Sequence, residues 1–271
     1  MPDSKLNETL KIKPVKYLVH AKATYYPTFV RIYIPNQPYA KDVEGYERPI
    51  SKSTSLTKVT SEFDETDVER SIRRTRKKIK DHILCNEFDL FATFTFKDDR
   101  QNIDRCKTRM AGWLKNQRAR VGKFSYIIVP EFHKDKQSLH FHALLGGYKG
   151  RLEQSQSPTG QPIKQGGHFV YELPSYTLGF TNVKIIDKKA DSQTKVGFYI
   201  QKYITKGMPL FFGKNRYWAS KSLTLPKTED NPEKWYKQVT PDREYPNDNG
   251  IILEFDKKSS PLTEMYLEAK Q

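Results

Sequence analysis

Phe124-Ser-Tyr-Ile-Ile-Val-Pro-Glu131 and Leu139-His-Phe-His-Ala-Leu-Leu145, separated by the polar Lys134-Asp-Lys-Gln137, are two runs of strand type on either side of a turn. If Asp135 and Lys136 form a two-residue hairpin loop, the numbers of opposed residues add up to 271, and Glu131 falls directly opposite His140. Side chains alternate across a strand. His140 and His142 therefore share a face with Glu131, while Leu139, Phe141 and Ala143 take the other and can enter a core. A hairpin that buries one face needs more strands beside it and helices above. The remaining runs supply them: strand-like Phe91 to Phe96, a helix from Ile103 to Arg120 with Met110, Trp113 and Leu114 on one side, strand-like Tyr171 to Tyr176 and Phe180 to Ile186, then a helix. This order predicts an α+β fold, a mainly antiparallel central sheet with flanking helices.

Two imidazoles and one carboxylate leave coordination positions open, as required of a metal that must also hold a phosphate oxygen. Mg²⁺ or Mn²⁺ would act there as a Lewis acid, with Glu131, His140 and His142 as ligands. His133 lies on the same strand face and is an alternative third ligand, although it is nearer the turn. Taken alone, His-Phe-His is equally compatible with surface residues on a half-buried strand. No Cys-x-x-Cys or His-Glu-x-x-His occurs, so the usual zinc spacings are missing.

Tyr199-Ile-Gln-Lys-Tyr-Ile-Thr-Lys206 reads as the second half of a helix capped by Asp191 or Ser192 and stopped by Gly207 and Pro209. At about 100° per residue, Tyr199, Lys202, Tyr203 and Lys206 fall within one arc, and Val196, Ile200 and Ile204 form an adjoining apolar stripe. An amphipathic packing helix explains that pattern too. Phosphoryl transfer gives it another meaning: a tyrosine hydroxyl can attack a polarised phosphorus, and Lys202 or Lys206, one turn away, can stabilise the phenolate or neutralise phosphate.

Three ordered blocks carry a family resemblance. Phe91-Ala-Thr-Phe-Thr-Phe96 resembles the first motif of the HUH endonuclease superfamily, Leu139 to Leu145 its His-hydrophobic-His motif, and Tyr199 to Lys206 its tyrosine motif. Within that superfamily the chain resembles rolling-circle replication initiators (Rep) of plasmid or small-phage type, and its paired tyrosines are similar to those of microvirus gene A replication proteins. The resemblance implies a ferredoxin- or RRM-like fold and a nicking-joining enzyme. Such a protein cuts single-stranded origin DNA, keeps the 5′ phosphate on tyrosine and releases a 3′ hydroxyl for a host polymerase. It also implies Tyr199, Tyr203, Lys202 and Lys206 as catalytic residues, Glu131 as the metal ligand on the preceding strand, and a bacterial cytoplasmic setting. Both tyrosines are expected to act in turn, with Tyr203 alone as the competing arrangement. An HUH transposase or conjugative relaxase would share the chemistry. A non-catalytic basic DNA-binding regulator would leave the convergence of these residues unexplained.

Charge and composition agree. A net charge of +15 and a pI near 9.5 are the electrostatic footprint of a nucleic-acid binder. On the predicted helix over 64–82, Arg73, Arg74, Lys77 and Lys78 are placed to contact DNA phosphates, against the plainer reading of a solvated face. The absence of a Gly-x-x-x-x-Gly-Lys-[Ser/Thr] loop leaves strand separation to a host helicase. Cys85 and Cys106 are too few for a disulfide framework. No apolar run suggests a signal peptide or a membrane span. The organisation expected is an accessory segment over 1–60 with strand-like 17–20 and 25–34, a nicking-joining domain over 61–222 with a mobile Gly-rich loop at 150–167, and an extension over 223–271, where Arg216-Tyr-Trp218 just before it could stack on unpaired bases.

Overall fold

The computed structural model describes residues 16–42, 65–187, 190–205, 208 and 215–270. In chain order these begin with strands β1 (Lys16–Val19), β2 (Lys22–Tyr25), β3 (Phe29–Pro35) and β4 (Tyr39–Asp42). Next come helix α1 (Glu65–Cys85), β5 (Leu90–Phe94), α2 (Ile103–Val121), β6 (Ser125–Phe132), β7 (Leu139–Gly146), and short strands β8 (Glu153–Gln154), β9 (Lys164–Gln165), β10 (His168–Phe169) and β11 (Tyr171–Glu172). Then follow β12 (Thr181–Ile185), α3 (Ala190–Gln201), β13 (Trp218–Ala219), β14 (Lys227–Asp230), β15 (Arg243–Asn247), β16 (Gly250–Asp256) and α4 (Pro261–Ala269). The fold is α+β and its sheets are antiparallel.

The chain divides into two units, Glu62–Pro226 and a second made from Met1–Ser61 with Lys227–Gln271. Segments 1–60 and 223–271, separate in the sequence reading, thus contribute to one five-stranded sheet of order β14-β2-β3-β16-β15. Its core joins Val30 and Ile32 of β3 to Phe255 of β16, Trp235, and Leu267 of α4. Ser260 caps α4 by accepting the Leu262 N–H, with Pro261 in the first turn, where a missing donor costs nothing.

The middle unit is built on a seven-stranded sheet of order β13-β6-β7-β5-β12-β11-β8. Alternation along β5, β6 and β7 separates two apolar faces. Leu90, Ala92, Phe94, Ile128, Phe141 and Ala143 pack with Met110, Trp113 and Leu114 of α2 on one side. Ile127, Val129 and Leu144 pack with Ile79 and Ile83 of α1 and Ile200 of α3 on the other. α2 starts at Asn102, whose side chain accepts the Arg105 N–H, and stops at Gly122, which takes a positive φ of 88°. Gly197 lets α3 approach α1: a Cβ there would lie 2.7 Å from Ile83 Cγ2.

The β6–β7 register pairs Glu131 with His140 and Val129 with His142, the pairing expected from sequence. The turn is longer than the two residues expected. The outermost contact is His133 N–H to Ser138 O, at 2.7 Å, so four residues form the loop, with Lys136 at a φ of 56°. Both loops have an even number of residues, which is why the register survives. Asp135 holds this turn: its carboxylate accepts the Ser138 hydroxyl and the Gln137 and Ser138 N–H groups, which keep its pKa at about 2.

Two expectations are corrected. Residues 150–167 are not one loop: they hold β8, a bridge between Gln156 and Pro162, and β9, which pairs with β10 across Gly166 and Gly167, both at positive φ. Helix α3 already includes Ala190, so Asp191 and Ser192 are inside it rather than before it, and it ends at Gln201, five residues short of Lys206. Lys206, Gly207 and Pro209 lie outside the described residues, as does the side chain of Val196. Trp218 belongs to edge strand β13, with its ring stacked on buried Phe141 at 6.2 Å.

Candidate active site

On the α1/α3 side of the sheet, the side chains of Glu131, His140 and His142 converge. Glu131 Oε2 lies 2.7 Å from Nε2 of both histidines, and the two Nε2 atoms are 3.2 Å apart. Adjacent ligands around a small cation with bonds near 2.1 Å are about 3 Å apart, so the donor set fits a divalent metal, and these three residues could hold one. Their charge states suit it as well. Burial works to raise the Glu131 carboxyl, but hydrogen bonds from His142 and His140 more than offset this and keep it below the ordinary glutamate value. Burial lowers His142, only partly countered by Glu131, so the ring stays neutral with a lone pair to give. His133 is exposed, its ring centroid 5.8 Å from that of His140, and it is outside the donor cluster.

His142 is the better-held imidazole. Thr93, its register partner on β5, places Oγ1 3.1 Å from Nδ1, where it can accept that proton and leave Nε2 for a cation. Tyr203 lies flat on the ring, with centroids 3.6 Å apart at 8°, and Phe91 is 6.0 Å away. The motif strand Phe91–Phe96 thus contributes two contacts that its reading as a core strand missed. The one available sign was a threonine in an apolar run, in register with a histidine.

The two tyrosines are brought together but are not equivalent. After Gln201 the chain tightens into i→i+3 hydrogen bonds: Lys202 N–H to Tyr199 O, Tyr203 N–H to Ile200 O and Ile204 N–H to Gln201 O. This turn leaves Tyr199 46% exposed and Tyr203 7% exposed, their rings 5.6 Å apart and edge to face. Lys202 Nζ lies 3.6 Å from the Tyr199 ring centroid and 4.8 Å from that of Tyr203. A hydrogen bond from the Tyr203 hydroxyl, then Lys202, lowers the Tyr199 phenol below the ordinary tyrosine value. Burial, and then the proton shared with Tyr199, raises Tyr203 far above it. Of the pair, Tyr199 ionises first.

Two arginines fix the chain just beyond Tyr203. Arg76 of α1 donates to the Ile204 carbonyl at 2.8 Å, and Arg216 donates to the Thr205 carbonyl at 3.2 Å. The sequence offered Arg216 only as part of a base-stacking segment and Arg76 as one cation in a run, and neither as a holder of this turn. Arg73, Arg74, Lys77 and Lys78 are all exposed on α1, opposite the Ile72, Ile79 and Ile83 stripe, and Lys77 pairs with Asp81 at 2.8 Å. Cys85 and Cys106 are free, and burial pushes their thiols up to about 12 and about 11, which leaves them unreactive near neutrality. Among the described residues no helix is long and apolar enough to cross a membrane.

The fold and the donor set define an α+β protein with two histidines and one carboxylate that could hold a cation, next to a tyrosine pair. Residues 89–208, a little under half of the chain, match the family described as replication-associated protein ORF2/G2P. The matched stretch runs from Asp89, just after α1, to Met208 and includes Thr93, Glu131, His140, His142, Tyr199, Lys202 and Tyr203. The match is consistent with a Rep-type replication initiator and implies interaction with DNA. No curated protein and no solved structure matches the chain.

Proposed function

We propose that this protein initiates replication by nicking and rejoining single-stranded origin DNA through a 5′-phosphotyrosine, using Glu131, His140 and His142 to hold a divalent cation. The observation that carries this reading is the 3.6 Å stack of Tyr203 on His142, which joins the tyrosine pair to the cation donors inside the segment matched to a replication-associated family. A bound cation supplies Lewis-acid polarisation of the scissile phosphate and neutralises its charge. Two imidazoles favour Mn²⁺ over Mg²⁺, which prefers oxygen donors.

The chain's own groups do the rest. The Tyr199 oxygen forms a bond to phosphorus as the bond from phosphorus to the 3′ oxygen breaks. The phenolic proton leaves by way of solvent, and the 3′ oxygen takes one up, so the products are a tyrosyl 5′ phosphate and a 3′ hydroxyl. Lys202 stabilises the phenolate before attack. Tyr203, protonated and buried, is the acceptor for a second transfer, and rejoining reverses the first step. Host helicase and polymerase are the partners this chemistry requires. The domain that carries it is the middle unit, and Arg73, Arg74, Lys77 and Lys78 supply sequence-independent attraction to the DNA backbone.

Incubation with labelled single-stranded DNA from the chain's own replicon, with and without Mn²⁺, tests the reading. A denaturation-resistant protein–DNA adduct is expected only with the metal, mapping to Tyr199 in wild type and to Tyr203 in Tyr199→Phe. Adducts persisting in the Tyr199→Phe/Tyr203→Phe double variant, or unchanged in His140→Ala/His142→Ala, would refute it.

A further inference from the structure

A cleft of about 540 Å³ opens between α1 and the segment that leads through β13, on the same unit as the cation site. That volume is in the range of small-ligand sites, roughly 300–1,000 Å³. Arg74, Lys78 and Lys221 line it, all exposed, together with the partly buried Tyr217, whose ring packs on the α1/α3 side of the sheet. No carboxylate lines it among the described residues. His82 forms part of its wall, 6% exposed. The His82 Nδ1 lies 3.1 Å from the Thr224 carbonyl, which can only accept, so Nδ1 carries the proton and Nε2 is an acceptor. Burial keeps this ring below the ordinary histidine value, hence neutral.

We propose that this cleft binds one unpaired nucleotide of the DNA strand, its phosphate on Arg74, Lys78 and Lys221 and its base against Tyr217. The inference rests on the DNA reading above and adds a second place where the strand is held. Cations alone would suit any polyanion. An aromatic ring beside them selects unstacked bases, whose faces are covered in duplex DNA. The cleft is also tied to the tyrosines: Arg216, next to Tyr217, holds the Thr205 carbonyl two residues beyond Tyr203, and Tyr217 packs against the cluster that includes Tyr203. A strand seated here has a short path to the candidate nucleophiles.

Photo-crosslinking tests the proposal directly. The full-length Tyr199→Phe/Tyr203→Phe protein, without metal, is mixed with single-stranded oligonucleotides carrying 5-iododeoxyuridine at successive positions, and crosslinked peptides are mapped by mass spectrometry. Crosslinks at Tyr217 are expected from one or two adjacent positions. In binding titrations Tyr217→Leu should weaken single-strand affinity about 5- to 100-fold while Tyr217→Phe retains it. Lys221→Glu, an exposed change with no packing role, should reduce the dependence of log affinity on log salt by about 0.7. Crosslinks confined to other peptides, or an unchanged salt slope in Lys221→Glu, would overturn the proposal. So would equal losses on duplex DNA of the same sequence. Tyrosine adducts formed without any crosslink in the cleft would remove the cleft alone. Cleft crosslinks in a protein that forms no adduct with Mn²⁺ would remove the strand-transfer reading and leave the cleft standing.

Discussion

Thr93 Oγ1 stands 3.1 Å from Nδ1 of His142 while Glu131 and Tyr203 hold the same ring from other sides, so its orientation depends on three neighbours at once. Removing the hydroxyl in Thr93→Val preserves shape and should weaken Mn²⁺ affinity about 10- to 100-fold, the usual cost of losing a group that orients a ligand. Thr93→Ser should restore it. Direct Mn²⁺ titration followed by electron paramagnetic resonance reads this without reference to nicking. In the same assay His140→Ala and Glu131→Ala should lose tight binding, and His133→Ala should keep it. A weaker loss in Glu131→Ala than in His133→Ala would move the third ligand to the turn. These three donors were legible in the sequence because a strand has a strict period of two, so one assumed turn fixes which residues face each other. Thr93 was not, because its partner lies on a strand far along the chain, and no local pattern sets that register.

Helix α1 presents two different surfaces, and each makes a prediction. Its outer face is a run of exposed cations. Neutralising Arg73, Arg74, Lys77 and Lys78 should flatten the salt dependence of DNA binding by about 0.7 for each phosphate that these side chains no longer neutralise, with little change in adduct yield at saturating DNA. Equal slopes for variant and wild type would return the face to simple solvation. Its inner face meets α3 where Gly197 leaves room for Ile83. Gly197→Ala gains about 1 kcal/mol of helix propensity but overpacks a buried contact at a cost of about 1–3 kcal/mol. A net loss of up to about 2 kcal/mol in denaturant unfolding is expected. The end of α3 shows where local reading stops. Gly207 and Pro209 are strong stop signals in sequence, yet the helix closes at Gln201, where the chain tightens into i→i+3 bonds and Arg76 and Arg216 hold the Ile204 and Thr205 carbonyls from outside it. The Gly-rich 150–167 segment departs from its sequence reading for a related reason. Glycine marks sharp turns as well as loops, and here Gly160, Gly166 and Gly167 turn the chain between short paired strands.

At the scale of the whole chain, the terminal unit carries a buried contact that acid weakens. In the terminal unit Glu254 is 6% exposed and accepts hydrogen bonds from Arg31 and Arg243, each at 2.9 Å. Burial raises its carboxyl, but the two guanidinium groups more than offset that and hold it below the ordinary value of 4.5. A depressed folded pKa stabilises the fold above the unfolded value and the contribution is lost as pH falls through the folded one. The thermal midpoint of this unit should therefore decline with acidification below about 4.5. Glu254→Gln should flatten that dependence and be less stable at neutral pH, since breaking a buried pair from one side costs about 3–5 kcal/mol. A pH profile unchanged by the substitution would show the carboxylate to be a bystander. The sheet around Glu254 has a further consequence for synthesis. β3 is flanked by β2, which precedes it, and by β16, which is translated more than two hundred residues later, after every strand of the middle unit has been synthesised. The nascent chain must therefore carry the unpaired edge of β3, a template for association with other chains, until β16 is made. Early release, or a stop codon placed before Gly250, should yield aggregates rather than a soluble shortened protein.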